Sequence, residues 1–207
     1  MRTINLRRAA VATGALSLAL LAGGCGGGMD HGTMGTGAPT SVAAPKSGAT
    51  FNATDVKFVT DMIPHHRQAL DMAKIAQSKA TMPEVKALAD RIAKAQEPEI
   101  ATMSGWLTAW GEPVPSPGGM SHGDMDGMGH MPGMMSDQEM QDMSKATGKD
   151  FDTMFLQMMI KHHQGAVEMA KIEQAQGQDA AAKQLAGKIA ADQTAEITEM
   201  QGLLAKL

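Results

Sequence analysis

The sequence predicts an all-α protein, an antiparallel four-helix bundle built from two repeated helical hairpins. When the chain is shifted by 97 residues, residues 55–107 lie over residues 152–204 without a gap, and 23 of these 53 positions are identical. In each copy, apolar residues recur at spacings of three and four, a pattern typical of amphipathic helices. One hairpin cannot bury its apolar stripe alone, so we expect the two copies to pack against each other.

The first hairpin is predicted at residues 51–110. Its first helix should begin near Thr54 or Asp55 and run to about Ser78. Its second helix should begin at Thr81, which with Glu84 and the intervening proline forms a capping-box pattern, and should end near Trp110.

The second hairpin is predicted at residues 150–207. We expect Asp150 to cap a helix that ends at Gly177, and Asp179 to cap a last helix that reaches Leu207. Pro64 and Pro98 lie inside the helices of the first hairpin and should kink them, because each removes a backbone hydrogen bond.

The N-terminal segment has the composition of an export signal. Three arginines and an apolar stretch at residues 9–22 precede the single cysteine, Cys25, in a lipobox-like context. We therefore predict a signal peptide at residues 1–24, a lipidated Cys25 and a disordered tether to residue 50. The protein should be exported and anchored by lipid to a membrane, facing the periplasm or the cell exterior.

The charge and cysteine content exclude several classes of function. The net charge is −4, and it becomes −7 when the three arginines of the signal peptide are removed. An acidic chain without a basic patch is not expected to bind nucleic acid. With Cys25 used for lipid, no disulfide can form within the chain.

Polar residues interrupt the apolar stripes at equivalent places in the two copies. Folding each hairpin about its turn brings its histidine pair level with a glutamine of the second helix, and brings a methionine level with a glutamate and a second methionine. In the first copy the histidines meet Gln96, and Met62 meets Glu99 and Met103; the counterparts in the second copy are Gln193 for the histidines and Glu196 and Met200 for Met159. The chain contains 20 methionines, and thioether sulfur beside imidazole favours Cu(I) or Ag(I). The predicted metal ligands are Met62, His65, His66, Met72, Glu99, Met103, Met159, His162, His163, Met169, Glu196 and Met200.

A low-complexity linker at residues 111–149 alternates methionine, histidine and aspartate in a glycine-rich chain. Such a chain can wrap a soft ion without a preformed fold. The auxiliary ligands predicted there are His122, Met125, Met128, His130 and Met131.

Plainer interpretations stay open for some of these residues. Met72 and Met169 stand two turns from the histidines of their own helix, so they could serve core packing alone. One histidine of each pair could be a core or surface residue without a ligand role. Glu99 and Glu196 could hydrogen bond the histidines instead of touching a metal.

The two segments at residues 62–73 and 159–170, each with a double histidine followed by a methionine six residues after the second, resemble the signature of a bacterial family. It is the family catalogued as domain of unknown function 305, and the resemblance covers roughly residues 51–110 and 150–207. It implies a ferritin-like helical fold. Members of CopM type in this family are periplasmic proteins that bind copper, so the resemblance also implies copper binding. Lys161 stands where the first copy has Pro64.

Three functions follow as hypotheses. The first is a copper(I) or silver(I) protein outside the cytoplasm that buffers or delivers metal, with a copper exporter or oxidase as partner. The second is a ferritin-like dimetal oxidase, although the chain has no Glu-x-x-His sequence. The third is a helical lipoprotein that binds a partner without metal. Because no nucleophile and base pattern or phosphate loop is visible, we do not expect an enzyme.

Overall fold

The structure is a computed structural model that describes residues 50–116 and 131–207. These residues form five helices and no strand, which confirms the all-helical prediction. The helices are α1 (Ala53–Lys79), α2 (Pro83–Trp110), α3 (Asp137–Lys145), α4 (Gly148–Gln176) and α5 (Ala180–Leu204). The predicted signal peptide, Cys25 and the linker ligands His122, Met125, Met128 and His130 lie outside the described residues. No helix among the described residues is long and apolar enough to cross a membrane.

The packing pairs consecutive long helices. Helix α1 lies against α2, α4 lies against α5, and the two pairs meet mainly where α1 contacts α4. Buried residues from both pairs form two apolar clusters, one with Phe155 and Leu88 and the other with Phe58 and Leu107. Since every cluster draws on both pairs of helices, burial of apolar area holds the pairs together.

Two of the predicted helix starts are wrong. Helix α2 has Met82 as its N-cap, and α4 has Thr147, whereas the sequence predicted Thr81 and Asp150. Asp150 lies instead in the first turn of α4. Asp179 caps α5 as predicted, and its carboxylate accepts hydrogen bonds from two backbone N–H groups of the first turn.

Helix α3 was not predicted. Ser136 accepts a hydrogen bond from the backbone N–H of Glu139, and the Glu139 carboxylate accepts one from the backbone of Ser136. This capping box starts a helix of nine residues inside the segment that the sequence suggested was only a linker. The glycine and methionine composition of its surroundings hid the signal.

An aspartate from each half binds the turn that precedes a helix of the other half. Asp152, at the start of α4, accepts hydrogen bonds from the backbone N–H groups of Thr81 and Met82 at 3.0 Å and from the Thr81 hydroxyl. Its copy in the repeat, Asp55, accepts hydrogen bonds from the backbone N–H groups of Gln178 and Asp179 at 2.8–3.0 Å. Asp152 therefore fixes the turn before α2, and the Thr81 side chain does not cap the helix as predicted, because its hydroxyl donates to Asp152 instead.

We predict that Asp152→Ala lowers the free energy of unfolding by about 2 kcal/mol, because the N–H groups of Thr81 and Met82, in the turn before α2, lose their acceptor. The matched control is Asp150→Ala, whose side chain is exposed on the same helix. It should change the free energy of unfolding by less than about 0.5 kcal/mol. Urea denaturation followed by circular dichroism measures both values. Equal effects of the two substitutions would show that the hydrogen bonds from Thr81 and Met82 to Asp152 do not stabilise the fold.

A second carboxyl group is buried beside Asp55. Glu173 stands in α4 where the first copy has Ala76, and its side chain is fully buried. Burial, the hydrogen bond to Asp55 and the Asp55 charge raise the pKa of Glu173 to about 8, against the attraction of Lys183. Hydrogen bonds from Glu173 and from three backbone N–H groups lower the pKa of Asp55, although burial alone raises it. Near neutral pH the pair therefore shares one proton.

This pair makes stability depend on pH. Between the ordinary pKa of 4.5 and the folded pKa of about 8, the folded chain holds a proton on Glu173 that the unfolded chain has released. Stability is therefore lost as pH rises through this interval. We predict that Glu173→Gln, which cannot ionise, becomes progressively more stable than the wild type as pH rises from 5 to 9. Thermal melts of both proteins and of the exposed control Glu168→Gln at several pH values test this, and parallel curves would refute it.

Candidate metal site

Four histidines meet where α1 crosses α4. The rings of His65 and His162, which occupy equivalent positions in the two copies, lie with their centroids 3.7 Å apart. The side chains of His66 and His163 are also fully buried. The sequence predicted two separate clusters, one in each hairpin. The structure brings the histidines of both copies together at one crossing, because α1 packs on α4 with these residues in register.

Each outer histidine is held by the glutamate of its own hairpin. His66 Nε2 donates a hydrogen bond to Glu99 at 2.9 Å, and His163 Nε2 donates one to Glu196 at 2.7 Å. The Glu99 carboxylate also accepts a hydrogen bond from Lys188 of α5 at 3.0 Å. Hydrogen bonds and charge from His66 and Lys188 lower the pKa of Glu99, although burial opposes this. The glutamates therefore orient the imidazoles, as one of the sequence interpretations allowed.

Burial keeps the inner rings uncharged. It lowers the pKa of His65 to about 3, helped by the charge of His66 and opposed by a hydrogen bond from His65 Nε2 to the Pro132 carbonyl at 3.1 Å. Burial followed by the charge of His65 lowers the pKa of His162 well below its usual range. Burial also lowers the pKa of His66, against the attraction of Glu99.

These hydrogen bonds leave nitrogen lone pairs without a partner. Because Nε2 of His65, His66 and His163 donates, Nδ1 of each is the acceptor nitrogen, and all three Nδ1 atoms are buried without a hydrogen bond. Neither ring nitrogen of His162 meets the geometry of a hydrogen bond, although the His65 backbone partly opposes the fall in the pKa of His162. Buried polar atoms in native proteins are rarely left unpaired. The orphaned nitrogens therefore indicate that something else binds here.

The predicted methionines of the helices fall into two buried groups, each with members from both hairpins. Met62 and Met103 of the first hairpin share a buried cluster with Met169 of the second. The complementary set, Met159 and Met200 with Met72, shares the other cluster. Met72 and Met169, which stand two turns from the histidines of their own helix, thus lie with the methionines of the opposite hairpin. Both still pack among core residues, so their role as ligands stays a prediction.

Several residues of the site were not in the predicted ligand set. Gln96 and Gln193 are 3% exposed, and the side-chain oxygens of both lack hydrogen-bond partners. Lys188 and the Pro132 carbonyl also belong to the site. The glutamines could be recognised in the sequence, because they are polar residues within an otherwise apolar stripe. Nothing in the sequence marked Pro132, because its contact depends on how the linker returns to the bundle.

The donor set fits a soft cation better than a hard one. Across residues 50–116 and 131–207, no three side chains of His, Cys, Asp or Glu form a group that could hold a metal ion. Methionine sulfur is the other donor that the chain offers on the helices that carry these imidazoles. Neutral imidazole and thioether donors in an apolar site suit Cu(I) and Ag(I).

Met131 is the one predicted linker ligand among the described residues. It directly precedes Pro132, whose carbonyl accepts the hydrogen bond from His65. The chain therefore brings Met131 to the edge of the histidine cluster, and the linker and the bundle are not independent sites at this point.

The chain belongs to the family described as domain of unknown function (DUF305), whose model matches residues 55–204. Among solved structures, it is similar to a secreted DUF305 protein from Streptomyces coelicolor, with 37% identity over 74% of this chain and 91% of that one and a TM-score of 0.65. It is also similar to a DUF305 fragment from Deinococcus radiodurans, with 32% identity over 75% of this chain and 98% of that one and a TM-score of 0.66.

A third similar structure is CopM in its Cu(I)-bound form. The identity is 33% over 73% of this chain and 96% of that one, with a TM-score of 0.61. CopM has also been solved with Cu(II) and with silver. No protein with a curated functional description matches the chain.

We predict that His65 stays uncharged in the metal-free protein at every pH above about 5, since its pKa is about 3. The unfolded chain binds a proton near the ordinary value of 6.5, so folding stability from this group is lost as pH falls from 6.5 towards 3. Nitrogen-15 spectra of the histidine rings between pH 5 and 8 measure the charge, and the free energy of unfolding at pH 5 and pH 7 measures the linkage. A His65 ring that titrates near 6.5 would show that it is solvated.

Proposed function

We propose that this chain is an extracytoplasmic lipoprotein that binds Cu(I) or Ag(I) and acts in metal buffering, delivery or resistance. One observation carries the proposal: four buried imidazoles meet at the α1–α4 crossing with nitrogen lone pairs that no described residue satisfies. Met62 and Met159 stand one helical turn from His66 and His163. The metal-bound forms of CopM, a relative at 33% identity, support the choice of ion.

The proposed architecture is an antiparallel four-helix bundle made of two repeated hairpins, α1–α2 and α4–α5. Contact between the equivalent residues His65 and His162 supports a pseudo-twofold axis between α1 and α4. The paired hydrogen bonds of Asp55 and Asp152 with the opposite half follow the same symmetry. A single site on this axis would receive equivalent donors from both hairpins.

The residues that would hold the ion are the histidines through Nδ1 and the methionines one turn away on the same helices. Met62 is four residues before His66, and Met159 is four residues before His163, so each pair lies on one helix face. Glu99 and Glu196 would act on the imidazoles rather than on the ion, since each already accepts a hydrogen bond from Nε2. The ion would be cargo, and no redox or hydrolytic step is needed.

The lipid anchor at Cys25 and the location outside the cytoplasm belong to the same proposal. They rest on the lipobox-like sequence, and the similarity to a secreted DUF305 protein supports export. A membrane-anchored metal carrier would be able to pass its ion to a copper exporter or oxidase.

A dimetal oxidase has less support than metal carriage. Such sites need several carboxylates around two metals, whereas Glu99 is occupied by His66 and Lys188 and Glu196 by His163. We accordingly propose that the protein is not an enzyme.

The decisive experiment replaces bundle donors without changing their volume. In the variant Met62→Leu, His66→Gln, Met159→Leu, His163→Gln, each glutamine amide can still donate to the glutamate, but the Nδ1 lone pairs and the sulfurs are gone. We predict the loss of at least about one equivalent of bound Cu(I) or Ag(I) per chain, measured by elemental analysis after equilibrium dialysis.

A comparison variant makes the same kinds of change at four of the predicted linker ligands, His122→Gln, Met125→Leu, Met128→Leu and His130→Gln, and measures how much of the bound metal the linker holds. Circular dichroism confirms that both variants fold. The same stoichiometry in the bundle variant as in the wild type would overturn the proposed site. Two bound irons and oxygen consumption would instead establish the oxidase.

A further inference from the structure

Residues 131–135 form a short non-helical segment, here called the strap, that crosses α1 and α4 beside the histidine cluster. The Gln68 side-chain amide donates a hydrogen bond to the Met135 carbonyl at 2.8 Å and accepts one from the Met135 N–H at 2.8 Å. His65 Nε2 donates the third hydrogen bond, to the Pro132 carbonyl at 3.1 Å. Both residues that hold the strap on α1 are therefore on the face that carries the metal site.

On α4 the strap lies directly on the helix backbone. A Cβ atom added to Gly165 would stand 2.0 Å from the Pro132 carbonyl oxygen, a distance that no side chain can occupy. A Cβ atom added to Gly133 would stand 2.8 Å from the His162 carbonyl oxygen, and Gly133 also has a positive φ of 80°. Glycine at these two positions allows the strap to cover α4 at His162.

The two copies of the repeat differ where the linker touches them. Gln68, which holds the strap, and Gly165, which makes room for it, are equivalent positions. Arg67 donates a hydrogen bond to the Pro115 carbonyl at 2.7 Å, at the other end of the linker. Lys161, which stands where the first copy has Pro64, pairs with Glu139 of α3 at 3.0 Å. The copies have therefore diverged in a way that seats the linker on the histidine face.

Of the segments that cover the histidine cluster, the strap can move away with the smallest loss of packing. All four histidine side chains are fully buried, so an ion cannot reach them unless some segment moves. Separating α1 from α4 would expose both apolar clusters. Releasing the strap at Pro132 breaks a few hydrogen bonds and leaves the helix pairs packed.

We propose that the strap controls the access of Cu(I) or Ag(I) to the histidine cluster, with Gln68 as the latch that holds it closed. Opening would uncover His162 and release His65 Nε2 from the Pro132 carbonyl. The ion then enters, and closure retains it. This inference rests on the proposed function for its ligand, but the closure itself is a property of the metal-free protein.

The test measures histidine accessibility and metal uptake separately, on the full chain. Diethyl pyrocarbonate labelling of the metal-free protein, mapped by mass spectrometry, gives the rate at which His65 and His162 become exposed. Stopped-flow transfer of Cu(I) from its coloured bicinchoninate complex gives the uptake rate. The variants are Gln68→Ala, which removes the latch, and Gly165→Ala, which displaces the strap while favouring the helix. The control is Gln164→Ala, an exposed glutamine next to Gly165.

We expect both variants to raise the labelling rate of His65 and His162 by roughly tenfold or more, since two hydrogen bonds or the close packing are lost. The Cu(I) uptake rate should rise by the same factor, with the wild-type stoichiometry retained and the control unchanged. Unchanged labelling in both variants would overturn the strap closure. Faster labelling with unchanged uptake would overturn its control of access. A wild type that takes up no Cu(I) would refute the proposed function, while the labelling still decides whether the strap closes the cluster.

Discussion

The contact between His65 and His162 constrains the charge of both rings and the packing of α1 on α4. Two imidazolium ions at about 4 Å would repel each other by roughly 4 kcal/mol at an effective dielectric constant of 20, besides the cost of burying each charge. The observed ring separation of 3.7 Å therefore requires neutral rings, and burial ensures that they are neutral. A neutral imidazole is also the form that binds metal. The neutral state of the two rings is thus needed both for the packing of α1 on α4 and for the binding of a metal ion by imidazole.

Other polar groups in the interior are arranged around this contact in equivalent pairs. Asp55 and Asp152 each bind the turn before a helix of the opposite half, and Glu99 and Glu196 each orient a histidine of their own half. Each pair satisfies polar donors that would otherwise be costly. The aspartates therefore join the two halves, and the glutamates fix the histidine rings within each half.

The asymmetric residues have a different effect. Gln68 and Gly165 bind the strap to one side of the centre, and Glu173 buries a protonated carboxyl group where the first copy has only Ala76. These differences give the two ends of α4 distinct surroundings, although the helices themselves are copies. A repeat can thus supply two sets of similar ligands while a single linker regulates contact with them from one side.

The amino-acid sequence by itself determined the helices and the equivalence of the two halves, because apolar spacing is a local property. Hairpin register placed Glu99 near the level of the histidines, but it did not decide whether Glu99 would bind a histidine or a metal. The tertiary structure decided which residues of α1 meet α4, and so joined two predicted clusters into one. It also placed the Asp152 carboxylate, 71 residues along the chain, against Thr81, whose hydroxyl donates to it instead of capping α2. The contact of the strap with His65 through Pro132 could not be predicted from the sequence either. Such contacts depend on the docking of separate elements, which leaves no periodic pattern in the chain.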